Sequence, residues 1–247
     1  MAPFDFADSP DPIRPDLVQA YRRTWEHVAS PGTWLDAAQR VAVAEETRRA
    51  RSCGLCAERK AALSPFSVEG EHDHGGALSA PLVDLVHRVT TDAQRLTKAW
   101  FDGILERGLS VEEYVEALGV AVLVISVDAF HHALGLAPEP LPEPRPGEPT
   151  RARPPGVVQR DAWVPVVDLK RTDPETRALL AGPGGRAPQV LLALSLVPQE
   201  VRAWKDLSAA QYLSPEAMVS MQSARALDRS QIELVAGRVS ALNECFY

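Results

Sequence analysis

Residues Pro138 to Pro155 hold eight of the chain's 21 prolines. Each proline fixes φ and removes a backbone donor, so neither a helix interior nor a central strand can pass through this stretch, and an extended linker over 138–160 is the expected form. The chain is thereby divided into an N-terminal half, residues 1–137, and a C-terminal half, residues 161–247.

On both sides of the linker the dominant period is helical. Leu17, Ala20, Tyr21, Thr24 and Val28 form one apolar stripe, which Ser30-Pro31-Gly32 breaks. Asp36 is placed to cap a second helix reaching Ala50, where Arg48, Arg49 and Arg51 crowd the end favoured for cations. Ser52 is the expected cap of a third helix carrying Cys53 and Cys56 in its first turns. A loop is expected over Ser67–Gly76, followed by helical segments from Pro81 to Arg107. Ser110 and Glu113 have the spacing of a capping box, and Tyr114, Leu118, Val122, Ile125 and Ala129 mark the buried helix it opens, which ends at Gly135. Beyond the prolines, Trp163–Leu169 suits a short strand or extended arm. Helices are expected from Pro188, from Pro198, after Ser214-Pro215-Glu216, and from Asp228 to Leu242. Almost nothing alternates with the period of two that a sheet requires, so the expected class is all-α.

Composition narrows the function. With 26 Lys+Arg against 33 Asp+Glu the formal charge is −7, and no basic run is interleaved with aromatics, so a nucleic-acid partner is not expected. The N-terminus carries acids and prolines where a signal peptide needs a basic start and an apolar run. The apolar stretch Ala117–Ala129 is interrupted by Gly119, Ser126 and Asp128, and no membrane association is expected. A cytoplasmic location follows as the expectation. In a reducing compartment a close cysteine pair serves redox chemistry or metal binding more often than stapling.

The chain has three cysteines: Cys53 and Cys56 form a C-x-x-C, and Cys245 stands near the end. A thiol reacts as its thiolate, which unpaired N–H groups and the positive end of a helix favour. Lys60, one turn beyond Cys56, adds a cation, and Glu45 and Glu46, two turns before Cys53, are the nearest proton carriers. Cys53, Cys56, His72 and His74 are together the right ligand types for a tetrahedral zinc site. A His-x-His in an acidic, glycine-flanked loop is more often solvated surface, and the expectation is no metal and no cofactor. His131 and His132 close the apolar helix as cations at its negative end, while His27 and His87 read as boundary residues. The simplest alternative to thiol chemistry is a pair of small buried residues packing a helix junction.

Each half also contains a helix with acids and arginines that leads to a cysteine: Arg40 to Cys53, and Arg229 to Cys245. A decayed duplication is the expected origin. The stretch from Asp228 through Glu233 to Cys245-Phe246-Tyr247 resembles the core of the alkylhydroperoxidase AhpD-like, or carboxymuconolactone decarboxylase-like, family. In that family a glutamate precedes a C-x-x-C by twelve residues and a histidine follows its second cysteine by four. Glu233 and Cys245 match the first two elements, and the remaining two would fall at positions 248 and 252. The segment from Gly108 to Leu136 resembles the long helix packed behind the motif. The first half keeps Cys53 and Cys56 but has Val41 at the glutamate position and Lys60 at the histidine position. Position 248 is where a selenocysteine codon would be read as a stop; a premature stop, a chosen boundary or a natural terminus are the plainer accounts of an apparently truncated second half.

The resemblance implies two AhpD-like helical repeats joined by the proline-rich linker. It also implies a thiol peroxidase: a thiolate attacks a hydroperoxide, the partner cysteine resolves the sulfenic acid as a disulfide, and a dithiol reductant or redox adaptor protein regenerates it. Cys53, Cys56, Cys245, Glu233, Glu46 and Lys60 are the candidate catalytic residues, and a homo-oligomer is the implied assembly. The alternative is a non-enzymatic helical interaction or regulatory protein that has lost the proton relay.

Overall fold

A computed structural model describes residues 4–182, 185–214, 217–218 and 226–242. The fold is all-α with one minute β-ribbon. The helices are α1 (Pro15–Ala29), α2 (Ala37–Arg49), α3 (Gly54–Ala61), α4 (Ala80–Thr91), α5 (Lys98–Glu106) and α6 (Val111–Ala133) in the first half. After the prolines come β1 (Val157–Val158), β2 (Val166–Val167), α7 (Pro174–Leu180), α8 (Gln189–Ala193), α9 (Pro198–Gln211) and α10 (Arg229–Leu242). The expected Pro215-Glu216 helix start and Cys245 lie outside the described residues.

Local signals explain most of the boundaries. Asp36 caps α2 by accepting from the Gln39 N–H at 2.8 Å, and the Gln39 side chain returns to the Asp36 N–H at 3.0 Å. Ser110 and Glu113 close the same reciprocal box on α6, as their spacing predicts. Asp228 and Gln231 repeat it at α10. Gly135, with φ +71°, ends α6 in the left-handed conformation that glycine adopts without a Cβ penalty. One expected cap is displaced. Ser52 lies in a 3₁₀ turn, Ala50–Ser52, and Cys53 is itself the N-cap of α3.

The 23-residue α6 is the centre of the molecule, with α1, α2, α4 and α9 packed around it. Among the described residues it is the one helix long and apolar enough to cross a membrane by length and composition, yet 67% of that apolar window is buried inside the protein. A helix that is apolar on most sides belongs in such a core. Val115, Val120 and Val124 of α6 meet Val43 of α2, Leu82 and Val86 of α4, and Val201 of α9 in one cluster. A second cluster joins Tyr21 and Trp25 of α1 to Leu123 and Val127 of α6 and Leu207 of α9, with Phe4 inserted between them. His131, expected as a helix-end cation, is buried there, its Nδ1 3.0 Å from the Val127 carbonyl and its ring 5.1 Å from that of Phe6. His132 is exposed.

The proline segment is free of helix and strand from 136 to 156. An extended backbone has no internal hydrogen bonds, so its groups must find partners elsewhere or face water. Here they bond to the end of α1 and the turn that follows: Trp25 Nε1–H donates to the Pro140 carbonyl at 2.8 Å, and the Arg145 and Arg151 N–H groups donate to Ala29 and Thr33 carbonyls at 2.8 Å. Past the segment, β1 and β2 pair antiparallel, Val157 opposite Val167 and Val158 opposite Val166, so the Trp163–Leu169 stretch does contain a strand.

Buried charges fasten α9 to the first half. Arg40 of α2 donates from Nη1 to Glu116 of α6 at 2.6 Å and to Glu200 of α9 at 2.7 Å, and all three side chains are fully buried. His27 of α1 lies 2.9 Å from Glu200. Gly119 makes room for this group, since a Cβ there would stand 2.7 Å from Glu200 Cγ.

Candidate functional site

Cys53 and Cys56 sit at the start of α3, both free and both buried, at 2% and 3% exposure. The segment between α3 and α4 folds back over them. Asp73 accepts from the Gly54 N–H through Oδ2 at 2.9 Å, supplying from a distance the cap that no neighbouring side chain gives α3. The Asp73 N–H in turn donates to Cys53 Sγ at 3.4 Å.

This docking turns His72 inward. Its Nδ1 lies 3.6 Å from Cys53 Sγ and 3.4 Å from Cys56 Sγ. A second histidine arrives from α4: His87 Nδ1 is 3.3 Å from Cys56 Sγ, and its side chain is completely buried. The two imidazole rings lie 4.3 Å apart. One donor atom from each of the four residues falls within 4.8 Å of every other.

Both outer ring nitrogens meet carboxylates. His87 Nε2 is 3.0 Å from Glu46 Oε2, and the other oxygen of Glu46 accepts from the Gly75 N–H at 2.5 Å. His72 Nε2 is 3.2 Å from Asp84 Oδ1. Asp84 is anchored in its turn, accepting from Arg107 at 2.7 Å and from Trp100 Nε1–H at 3.2 Å. When each Nε2–H donates to its carboxylate, each Nδ1 lone pair faces the sulfurs.

Burial lowers the His87 pKa against the opposing pull of Glu46, so its imidazole is neutral at pH 7. Burial likewise pushes the Cys56 thiol up to about 12, with Cys53 adding to the rise. Burial would raise Asp84, but hydrogen bonds from His72, Arg107 and Trp100 outweigh it and hold the carboxyl well below the usual range.

The sequence-derived candidates separate sharply. Cys53, Cys56 and Glu46 come together, with Glu46 acting through His87 rather than directly on sulfur. Lys60 is exposed in the last turn of α3, where its backbone carbonyl accepts from Arg95 at 3.2 Å, and Arg59 is the basic residue that turns to His72, with Nη1 3.1 Å from Nε2. Glu45 points outward to Arg49. Glu233 lies on the exposed part of α10, accepting from the Tyr212 hydroxyl at 2.5 Å and pairing with Arg229. Cys245, its expected partner, lies outside the described residues. The His-x-His loop is split: His74 is exposed while His72 enters the site.

His87 and Asp84 were not legible as site residues. The available signal was a histidine on the interior stripe of α4 beside Val83 and Val86, a position where a polar group needs a partner. No spacing rule links it to Cys56, 31 residues earlier. No protein-family model, curated protein or solved structure matches the chain.

Proposed function

We propose that the chain is a thiol–disulfide redox protein that reduces hydroperoxides with the Cys53–Cys56 pair. The observation that carries this reading is the His87 ring, which spans Cys56 Sγ at 3.3 Å and Glu46 at 3.0 Å. A buried thiol needs a base beside it, and a neutral histidine whose far N–H is held by a carboxylate is such a base. The resemblance of the sequence to the AhpD-like family points to the same chemistry. Here Glu46 and His87, from α2 and α4, take the relay roles that Val41 and Lys60 do not fill.

The steps balance as follows. His87 takes the Cys56 proton, the sulfur attacks the outer peroxide oxygen, the O–O bond breaks, and the alkoxide leaves as an alcohol after receiving that proton. Cys53 then attacks the sulfenic sulfur and water departs with the Cys53 proton, leaving a disulfide between residues on one helical turn. Two electrons pass from the sulfurs to the peroxide, and an external dithiol or redox adaptor protein returns them. A cytoplasmic setting and a homo-oligomer belong to the same proposal.

Peroxide consumption coupled to a dithiol tests it. The wild type should turn over and form the Cys53–Cys56 disulfide on mass spectrometry; Cys56→Ser should be inactive, and Cys53→Ser should accumulate a sulfenic acid trapped by dimedone. Thiols that stay reduced in excess peroxide would sink the reading.

The burial of both sulfurs and the elevated Cys56 thiol favour a second reading, a regulatory or interaction protein in which the pair changes state without turnover. It is distinguished by stoichiometric oxidation with no sustained peroxide consumption.

A further inference from the structure

We infer that Cys53, Cys56, His72 and His87 form a tetrahedral zinc site in the reduced protein. Three observations carry this inference. The four donor atoms converge from α3, from the segment after it and from α4, all mutually within 4.8 Å. A tetrahedral ion with bonds of about 2.3 Å to sulfur and about 2.0–2.1 Å to nitrogen spaces sulfur from nitrogen by about 3.5 Å. Three of the four sulfur–nitrogen separations are 3.3, 3.4 and 3.6 Å, and the fourth, Cys53 to His87, is within 4.8 Å.

The second observation is that each histidine has its own carboxylate behind it, Asp84 for His72 and Glu46 for His87. A proton relay to one thiol uses one histidine and one acid, so the His72–Asp84 pair has no part in it. Two such pairs, with a carboxylate behind each outer ring nitrogen and each Nδ1 facing the sulfurs, are the arrangement by which proteins orient metal-bound imidazoles. The third observation is charge. Two thiolates neutralise a divalent ion, and Arg59, Arg107 and Arg49 lie against the two carboxylates, so the assembled centre carries no uncompensated buried charge. Two sulfurs and two imidazole nitrogens in a tetrahedral setting select zinc over the harder divalent cations. With all four positions taken by protein, the site is of the closed, structural kind.

The inference shares both sulfurs and His87, whose Nδ1 acts as a base only while no metal is bound, with the proposed redox chemistry, but stands without it. If both hold, a hydroperoxide and two protons acting on the zinc dithiolate yield the Cys53–Cys56 disulfide, an alcohol, water and the free zinc ion. Oxidation would then be reported by metal release.

Metal analysis of untagged protein purified under reducing conditions tests the site. About one zinc per chain is expected, falling below about one tenth in Cys56→Ser and in His87→Ala and unchanged in His74→Ala. Because a ligand variant can fail to fold, the wild-type apoprotein is also titrated with cobalt(II), which should give the intense visible bands of a tetrahedral thiolate complex. Absence of zinc together with absence of those bands overturns the inference, as does loss of metal in His74→Ala with retention in His87→Ala. Protein that cycles with peroxide yet binds neither ion would remove the zinc site and keep the redox reading; protein that binds zinc and resists peroxide would do the reverse.

Discussion

Two buried polar clusters each draw a side chain from α2, Arg40 in one and Glu46 in the other, and they are built on different logics. In the Arg40–Glu116–Glu200–His27 group, opposite charges meet directly, and the product is attachment of α9 to the first half. In the Cys53–Cys56–His72–His87 group, four electron-pair donors face one another and their carboxylates stand outside them. Burying charge is justified in the first case by mutual compensation; in the second the inward atoms offer lone pairs, which is the disposition of a site that handles a proton or a cation. Burial alone does not separate structure from chemistry, but the direction in which the acceptors point does.

The largest test of this contrast removes the cation of the first cluster. Arg40→Met leaves two carboxylates facing each other in the interior and should cost about 3–5 kcal/mol in urea denaturation. The cysteine centre should keep its thiol reactivity and metal content in any folded fraction. A variant that loses metal at full stability would merge the two clusters into one functional unit.

Next comes the outer carboxylate of the second cluster. Glu46→Gln keeps the shape but weakens the hold on His87, and zinc affinity should fall about 10–100-fold in a chelator competition. Unfolding should shift far less than in Arg40→Met.

Acid provides a third test. Burial pushes the Glu200 carboxyl up, but the charges of Arg40 and His27 outweigh it and hold it at about 2, below its ordinary 4.5. Glu116, facing the same arginine, is raised, its burial outweighing the pull of Arg40. A depressed carboxyl stabilises the fold above its unfolded value, and that contribution fades as pH falls from about 4.5 toward 2. Denaturation midpoints followed over that window should drop in the wild type and drop less steeply in Glu200→Gln.

The smallest expected effects are local. Gly119→Ala places a methyl against Glu200, and overpacking of about 1–3 kcal/mol, offset by about 1 kcal/mol of helix propensity, should leave a net loss near 1 kcal/mol in thermal unfolding. Ser110→Ala removes the α6 cap at about 1 kcal/mol, and a hydrogen-exchange map should confine the change to the first turn of that helix.

The contrast also explains what was legible in the residues. Ser110 with Glu113, Asp36, Pro198 and Gly135 mark helix ends through contacts three or four residues long, and those boundaries are where local rules place them. Cys53 and Cys56 stand out because their spacing is itself local. Glu46 stands two turns before Cys53 along the chain and reaches the sulfur of Cys56 only through His87. His87 and Asp84 were hidden because their partners are set by how α4 lies on α2 and α3, and no periodicity encodes that angle. Lys60 is exposed in the last turn of α3, and Arg59, one position earlier, is the basic residue whose side chain reaches His72. The pairing of Glu233 with Cys245 rests on residues of which only the first is described.

The separations within the two clusters have a consequence for the order of assembly. Every donor of the cysteine centre lies between residues 53 and 87, and Glu46, the most distant supporting carboxylate, is 41 residues from its histidine. Arg40 reaches Glu116 across 76 residues and Glu200 across 160. Short loops close at lower entropic cost, so α2, α3 and α4 can gather their sulfurs and imidazoles early, while the ionic cluster waits until the proline segment has brought α9 home. During synthesis the nascent chain would thus bring its two cysteines and two buried imidazoles together well before it possessed its final packing.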